Sequence, residues 1–446
     1  MEIYVLNLLA ISSLFVLLYR VAKASYTIWL RPKWLERNLK QQGIRGTPYK
    51  PLVGDMKEFV RLITEAWSKP LSLTHQIVPR VDPFTLTTVR KYGNGTSIYI
   101  QLWQDDRTME EDGQCGRNLR SRYVDRTSRT SADVISRVAF GSSYEEGKKI
   151  FELQKELIKL TLEAMQNLYI PGFRFVPTRK NRRRKKLDKE ITSLLRKIIE
   201  NKTNSMKTGQ SKVDDLLGLL LQSNNQNNLS EHARGNKSDG MTVEEVIEEC
   251  KQFYLAGQET TSTWLTWIMI ILAIHTEWQE KARQEVLELC GKKQPNFEAI
   301  SHLKIVTMIL NEVLRLYPPV IALYQHAYKE TKVGHITIPA GVDLNLPTLL
   351  IHHDQELWGD DAEEFKPDRF SEGVAKACKD QLAFFPFGWG PRTCIGQSLA
   401  MLEAKFALAM ILQHFSLELS PSYAHAPYTV MTLQPQHGAQ IILHQL

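Results

Sequence analysis

The chain is poor in cysteine. It has 5 in 446 residues, and no two stand as a C-x-x-C pair, which excludes a zinc framework of the paired-cysteine kind. Cys115, Cys250, Cys290, Cys378 and Cys394 are odd in number and scattered, a pattern that argues against a disulfide scaffold and for a reducing compartment. No internal repeat is present, and no flavin or dinucleotide fingerprint occurs, so electrons for any redox chemistry must come from another protein. The net charge of +7 is not accompanied by finger spacings or an aromatic-rich basic array. That removes nucleic acid as a partner and leaves an acidic membrane surface or an acidic protein.

What is present is a globular composition, 43% hydrophobic and 24% charged, in a chain long enough to bury a large core. Residues 3–19 are apolar apart from Asn7, Ser12 and Ser13, which is just long enough for a helix to span a bilayer core. Arg20, Lys23, Arg31, Lys33 and Arg37 follow the run and only Glu2 precedes it, so the remainder is expected to face the cytosol. A cleaved signal peptide ending at Ala22-Lys23-Ala24 is the rival reading, but the positive charge such a peptide carries in front is missing. The organisation expected is a membrane anchor over 1–22, a basic hinge punctuated by proline and glycine over 23–55, and one globular body over 56–446.

Periodicity predicts helices across about 141–205, 242–290, 303–317 and 397–414, and short proline-broken strands across 320–350. The run "RKNRRRKK" at 179–186 is either a solvated helix face or a patch that touches a membrane. Residues 222–240 are a polar loop. The fold class expected is mainly α with a minor β-sheet.

Two stretches carry chemistry. In "FFPFGWGPRTCIGQSLA", 384–400, Gly388 and Gly390 permit a tight loop, and the helix that starts just after Cys394 aims its free N–H groups back at the sulfur. Such a loop suits a buried, electron-rich thiolate, with Arg392 nearby as a cation suited to a carboxylate. The sulfur is then a nucleophile, which needs a histidine close by, or a ligand to heme iron, which needs nothing more. In "FYLAGQETTSTWLTW", 253–267, an acid and an alcohol interrupt an apolar helix interior, a costly placement unless they are used. Ala256 and Gly257 are small enough to admit a flat ring, and Glu259 with Thr260 would supply a proton route. Thr260 is expected to bond back to a carbonyl one turn earlier and open the helix locally, and Thr242 with Glu245 spells a capping box at the helix start.

The pattern F-G-x-G-x-R-x-C-x-G resembles the heme-binding loop of cytochrome P450 monooxygenases. The (A/G)-G-x-(D/E)-T run, "LNEVLRLYPP" at 310–319 and "FKPDRF" at 365–370 resemble that family's other motifs and occur in its order. The resemblance is close over 131–446 and looser over 20–97. It implies the cytochrome P450 fold behind an N-terminal transmembrane helix, with heme b held by the thiolate of Cys394. Phe387, Gly388, Arg392 and Gly396 would shape the heme loop, with Ala256 and Gly257 on the facing helix, while Glu259 and Thr260 would manage protons. Glu312, Arg315 and Arg369 would form a buried charge network that is scaffold, not catalysis. Residues 140–154 and 433–444, with the anchor, are similar to the plant branch that includes secologanin synthase and triterpenoid oxidases. A small hydrophobic, terpenoid-like substrate is implied, along with O2 and electrons from NADPH through a separate NADPH-cytochrome P450 reductase docking near Arg392 and Lys405. The location implied is the endoplasmic reticulum membrane. The apolar residues 320–323 would line the pocket.

Residues 97–131 depart from the family pattern. Within them residues 105–130 are polar, arginine-rich and aperiodic, and several tens of residues are missing relative to the family. Trp103 and Arg107 spell W-x-x-x-R, the family's propionate contact, but too soon after the preceding segment. A chain that binds heme without turning over, or does not bind it, is the alternative that this segment raises.

Overall fold

The structure, a computed structural model, describes residues 2–51, 54–92, 122–142, 144–165, 176–209, 214–223 and 241–446. Among the described residues eleven helices of ten or more residues set the architecture. They are α1 (Glu2–Ser25), α2 (Arg31–Gln41), α3 (Met56–Trp67), α4 (Pro83–Tyr92), α5 (Arg122–Phe140), α6 (Tyr144–Met165), α7 (Arg179–Lys207), α8 (Val243–Ile274), α9 (Thr276–Cys290), α10 (Lys304–Leu316) and α11 (Gln397–His414). Of the polar loop expected over 222–240, residues 222 and 223 are helical and 224–240 lie outside the described residues, as does the Trp103/Arg107 motif.

The axis of the molecule is α8. The expected capping box starts it: the Thr242 hydroxyl accepts from the Glu245 amide, and the Thr242 amide donates 2.7 Å to the Glu245 carboxylate. The helical stretch expected over 242–290 is in fact two helices. His275 leaves helical geometry at φ −104° and ψ 73°, and its ring turns to meet His75, Nε2 to Nε2 at 3.0 Å.

The two ends of α8 serve different cores. Val246, Ile247, Cys250 and Tyr254 pack with α5, α6 and α7, where Phe140 stacks on Tyr254 at 4.1 Å. Residues 264–273 pack with α9, α10, α11 and the C-terminal strands, where Trp267 stacks on Tyr317 at 4.4 Å. The stretch 255–260 belongs to neither core and none of it is buried. The acid–alcohol motif therefore lies at the seam.

The strands form four antiparallel pairs. In the first half, β1 (Leu323–His326) pairs with β4 (Asp343–Leu346), and β2 (Thr331–Val333) with β3 (Ile336–Ile338). Near the C-terminus, β5 (Phe415–Leu419) pairs with β8 (Ile441–Gln445), and β6 (Pro427–Thr429) with β7 (Leu433–Pro435). The last two pairs were not expected from the sequence, although Pro427 and Pro435 stand opposite each other in the β6–β7 register.

Three further departures have physical causes. Residues 122–130, expected to be aperiodic, open α5, and the polar side chains on its inner side are held by hydrogen bonds, Thr127 and Ser131 buried and Ser128 half-buried, while Arg129 and Thr130 are exposed. Ser131 donates to Glu403 at 2.6 Å, Thr127 shares a hydroxyl contact of 3.3 Å with Thr266, and Ser128 accepts from Gln258. An interior face built of serine and threonine carries no hydrophobic signature. The basic hinge contains α2, which tolerates Pro32 in its first turn and buries Leu35 and Leu39 against Ile336, Ile338 and Val342. Residues 2–25 form one helix, yet among the described residues no helix is long and apolar enough to cross a membrane. The cationic run opens α7, and Leu187, Ile191, Leu195 and Ile199 behind it form the buried stripe that holds the helix down.

Candidate active site

The cysteine loop is shaped by backbone geometry. Gly388 and Gly390 sit at φ +77° and +76°, the left-handed region where a Cβ is strained. Their turns bring the Cys394 amide within 2.8 Å of the Phe387 carbonyl, and the Cys394 carbonyl accepts from Gln397 at 3.4 Å. Gly396 is the N-cap of α11, and no side chain caps that terminus, so the first amides of the helix stay available to the loop. A Cβ on Gly396 would lie 3.8 Å from Cys394 Sγ, so the sulfur rests over the helix entry.

The sulfur was expected to be buried, and it is exposed. Two neighbours fasten the loop from below and nothing described covers it from above. Phe387 meets Trp264 of α8 edge-on at 6.3 Å, and Leu323 of β1 lies against Gly388. The contrast with Cys250 is chemical as well as spatial: burial pushes the Cys250 thiol up to about 12, which makes it inert. Arg392 is exposed and forms no ion pair among the described residues. Lys405, on α11, has its pKa lowered by burial.

On α8 the Thr260 hydroxyl donates 2.7 Å to the Ala256 carbonyl, the back-bond expected. It does not break the helix, which runs unbroken through the motif. Ala256 is exposed, whereas Gly257 is closed off. A Cβ there would come within 2.6 Å of the Ile135 side chain, so its small size is what lets α5 approach α8. Glu259 accepts from Gln434 at 2.5 Å and from Thr432 at 3.2 Å, both donors in or beside β7. Sequence reading missed these two. They are distant in the chain, and polar residues flanking a short strand give no local signal of a distant partner.

Glu312, Arg315 and Arg369 come together. Arg315 and Glu312 are each 0% exposed and share two bonds of 2.8 Å, while Arg369 donates to the same carboxylate at 3.0 Å. The sequence did not point to Asp361, which meets Arg369 from the outer side at 3.3 Å. A further buried carboxyl, Glu403 on α11, was also missed; burial pushes it up to about 7, with the Ser131 hydroxyl opposing that shift.

The cytochrome P450 family model matches residues 101–443. Cytochrome P450 72A397 of Kalopanax septemlobus is 45% identical over 94% of this chain and 94% of its own length. Secologanin synthase 1 of Catharanthus roseus is 42% identical with 94% of both chains covered. Cytochrome P450 72A13 of Arabidopsis thaliana is 42% identical over 520 aligned positions that take in the whole of both chains. Against 446 residues, those 520 positions leave at least 74 internal positions at which this chain has no residue. With a family model spanning most of the chain and relatives alike along nearly all of it, the protein belongs to the cytochrome P450 family, oxidoreductases of the monooxygenase class whose heme iron is ligated by a cysteine thiolate.

Proposed function

We propose that this chain is a monooxygenase whose iron-ligating thiolate is Cys394 and which places one oxygen atom of O2 into a small hydrophobic, terpenoid-like substrate. The observation that carries the assignment is the exposed sulfur over an uncapped helix entry, in a loop with two left-handed glycines. A single soft anionic donor, with amides behind it and, two residues away, a guanidinium that has no ion pair among the described residues, is the donor set that a heme with its propionates requires. Once bound, the heme supplies activation of O2. The residues of the chain do the rest. Phe387, Gly388 and Gly396 shape the loop, Arg392 binds a propionate, and Ala256 leaves room on the facing helix. Glu259 and Thr260 hold and move protons at the seam between the two cores. The Glu312–Arg315–Arg369 network keeps α10 and the loop at 367–370 in register beneath them.

The name of the Catharanthus roseus relative supports a terpenoid-like substrate, and the apolar run 320–323, whose Leu323 lies against Gly388 of the cysteine loop, supports an apolar wall. We also infer that residues 1–22 anchor the chain in the endoplasmic reticulum membrane with the body in the cytosol, and that NADPH-cytochrome P450 reductase delivers electrons near Arg392 and Lys405. The reading is tested by the reduced, carbon-monoxide-bound absorption spectrum of the full chain in membranes. A strongly red-shifted Soret band that Cys394→Ser abolishes is expected; a band unchanged by that substitution overturns the ligand assignment. A second reading, a form that does not turn over, is favoured by the 74 or more positions without a residue. Heme bound without product in the presence of reductase and NADPH, across a panel of terpenoids, is its signature.

A further inference from the structure

The carboxylate of Glu259 is held by residues from the other end of the chain. Strand β7 is fastened on both sides: the Leu433 amide donates to the Pro319 carbonyl at 3.0 Å, and Trp267 donates to the Leu433 carbonyl at 2.6 Å. Thr432 and Gln434, which flank Leu433, are thereby fixed against α8. Thr432 is 2% exposed and its hydroxyl lies 3.2 Å from that of Thr263, one turn past Glu259.

The donor inventory closes without a remainder. The two protons of the Gln434 amide go to Glu259 Oε1 at 2.5 Å and to Thr432 Oγ1 at 3.0 Å. The Thr432 proton goes to the same Oε1 at 3.2 Å. Oε1 therefore accepts twice, and a proton carried by this carboxyl must sit on Oε2, which has no hydrogen bond among the described residues. The fork fixes both the rotamer of Glu259 and the oxygen from which it can give up a proton.

We propose that Gln434 and Thr432 are positioning residues that present Oε2 of Glu259 for proton delivery. The proposal rests on the reading of Glu259 as a proton carrier. The test uses the full-length holoenzyme and compares wild type with Gln434→Ala, Thr432→Val, Glu259→Gln and the doubles with Glu259→Gln. Thr432→Val keeps the shape of the buried site, so it remains informative where the alanine variant fails to fold. The first readout is independent of turnover: isotope-edited infrared spectra of the protein labelled at glutamate carboxyl carbons, with Glu259→Gln identifying the band. Loss of either donor should move the Glu259 carboxylate band, and an unmoved band overturns the proposal. The second readout is kinetic. Each single variant should lower kcat about tenfold with KM unchanged, as loss of one hydrogen bond to a charged group predicts. Neither should lower it further in the Glu259→Gln background, and an equal loss in both backgrounds would overturn the proposal. A moved band together with a fully active Glu259→Gln leaves the positioning intact and removes the proton-carrier reading beneath it.

Discussion

The charge cluster around Glu312 and the loop around Cys394 are built on opposite terms. Every donor of the Arg315 guanidinium is used within the chain: two on Glu312 and one each on the His352, Ala362 and Glu364 carbonyls. Glu312 accepts in addition from Arg369 and from the Lys366 amide. The cluster is complete and dry. The cysteine loop is the reverse, with its backbone fixed and its sulfur open. A closed network of charges is scaffold because it has nothing left to offer, whereas a rigid loop with an unspent donor is a site for something brought from outside.

The comparison breaks most sharply under substitution of the sulfur. Cys394→Ser should abolish thiolate-heme absorption and turnover completely while leaving the unfolding midpoint of the apoprotein nearly unchanged, within about 0.5 kcal/mol, because the side chain is exposed. A large loss of apoprotein stability would mean that the loop is scaffold too. The complementary change is Glu312→Gln, which keeps the shape and removes the charge. It leaves Arg315, 0% exposed, beside Arg369, 7% exposed, with no buried anion between them, a loss of about 3–5 kcal/mol seen as a fall in urea midpoint. Heme binding should fail only as a consequence of unfolding, so holoprotein that survives at low temperature should keep its thiolate spectrum.

Acid should act on the scaffold and spare the loop. Burial holds His75 and His352 down to about 3 and His425 to about 4, and it lowers His275 as well. His75, His275, Tyr317, His425 and Tyr423 form one hydrogen-bonded chain, so these rings must be neutral in the folded state. The unfolded chain takes up protons near pH 6.5 that the folded chain refuses, so stability falls as pH drops below that value and continues to fall toward pH 3–4. Glu403 runs the other way. Its raised value gives stability that is present at low pH and lost as pH rises through about 7, offsetting part of the histidine slope. The histidine part of the loss should be on the order of 1 kcal/mol per pH unit for each fully neutralised ring, and the Glu403 offset is subtracted from it. Urea midpoints at pH 7, 6 and 5 measure it, and a flat series contradicts the buried histidine chain.

How much of this was legible in the sequence depends on the range over which each signal acts. The ends of α10 and α11, the capping box of α8 and the cysteine loop are written in adjacent residues, and reading them required only local rules. The break at His275 was not legible, because the ring that His275 meets there, His75, lies 200 residues away in the chain. The first turns of α5 were missed because their buried face is hydroxyl-bearing and is satisfied by Thr266 and Glu403, far along the chain. Gly257 looked like room for a flat ring and proved to be room for Ile135. The grip of Gln434 on Glu259 spans 175 residues and had no signature at either end. In each case the missing information was the identity of a distant partner, which no window of sequence contains.

The smallest effect sharpens the comparison by testing where the closed network ends. Asp361 is the outermost member, its side chain 28% exposed, paired with Arg369 at 3.3 Å and with Lys366 at 2.7 Å. The Lys366 ammonium first, and Arg369 with it, hold its carboxyl below the usual carboxylate range, so the stability it lends is present above about pH 4 and lost as pH falls below that. Asp361→Asn removes that charge but not the anchoring of Arg369, which still donates to Glu312 and to the Asp361 backbone carbonyl. Solvent screens the pair, so the loss should be about 0.5–1 kcal/mol, several times less than for Glu312→Gln. A loss as large as that for Glu312→Gln would extend the dry network to its rim. A loss near zero, together with an unchanged acid limb of the stability curve, would confine it to Glu312 and the two arginines, with Asp361 and Lys366 an ordinary surface pair beside it.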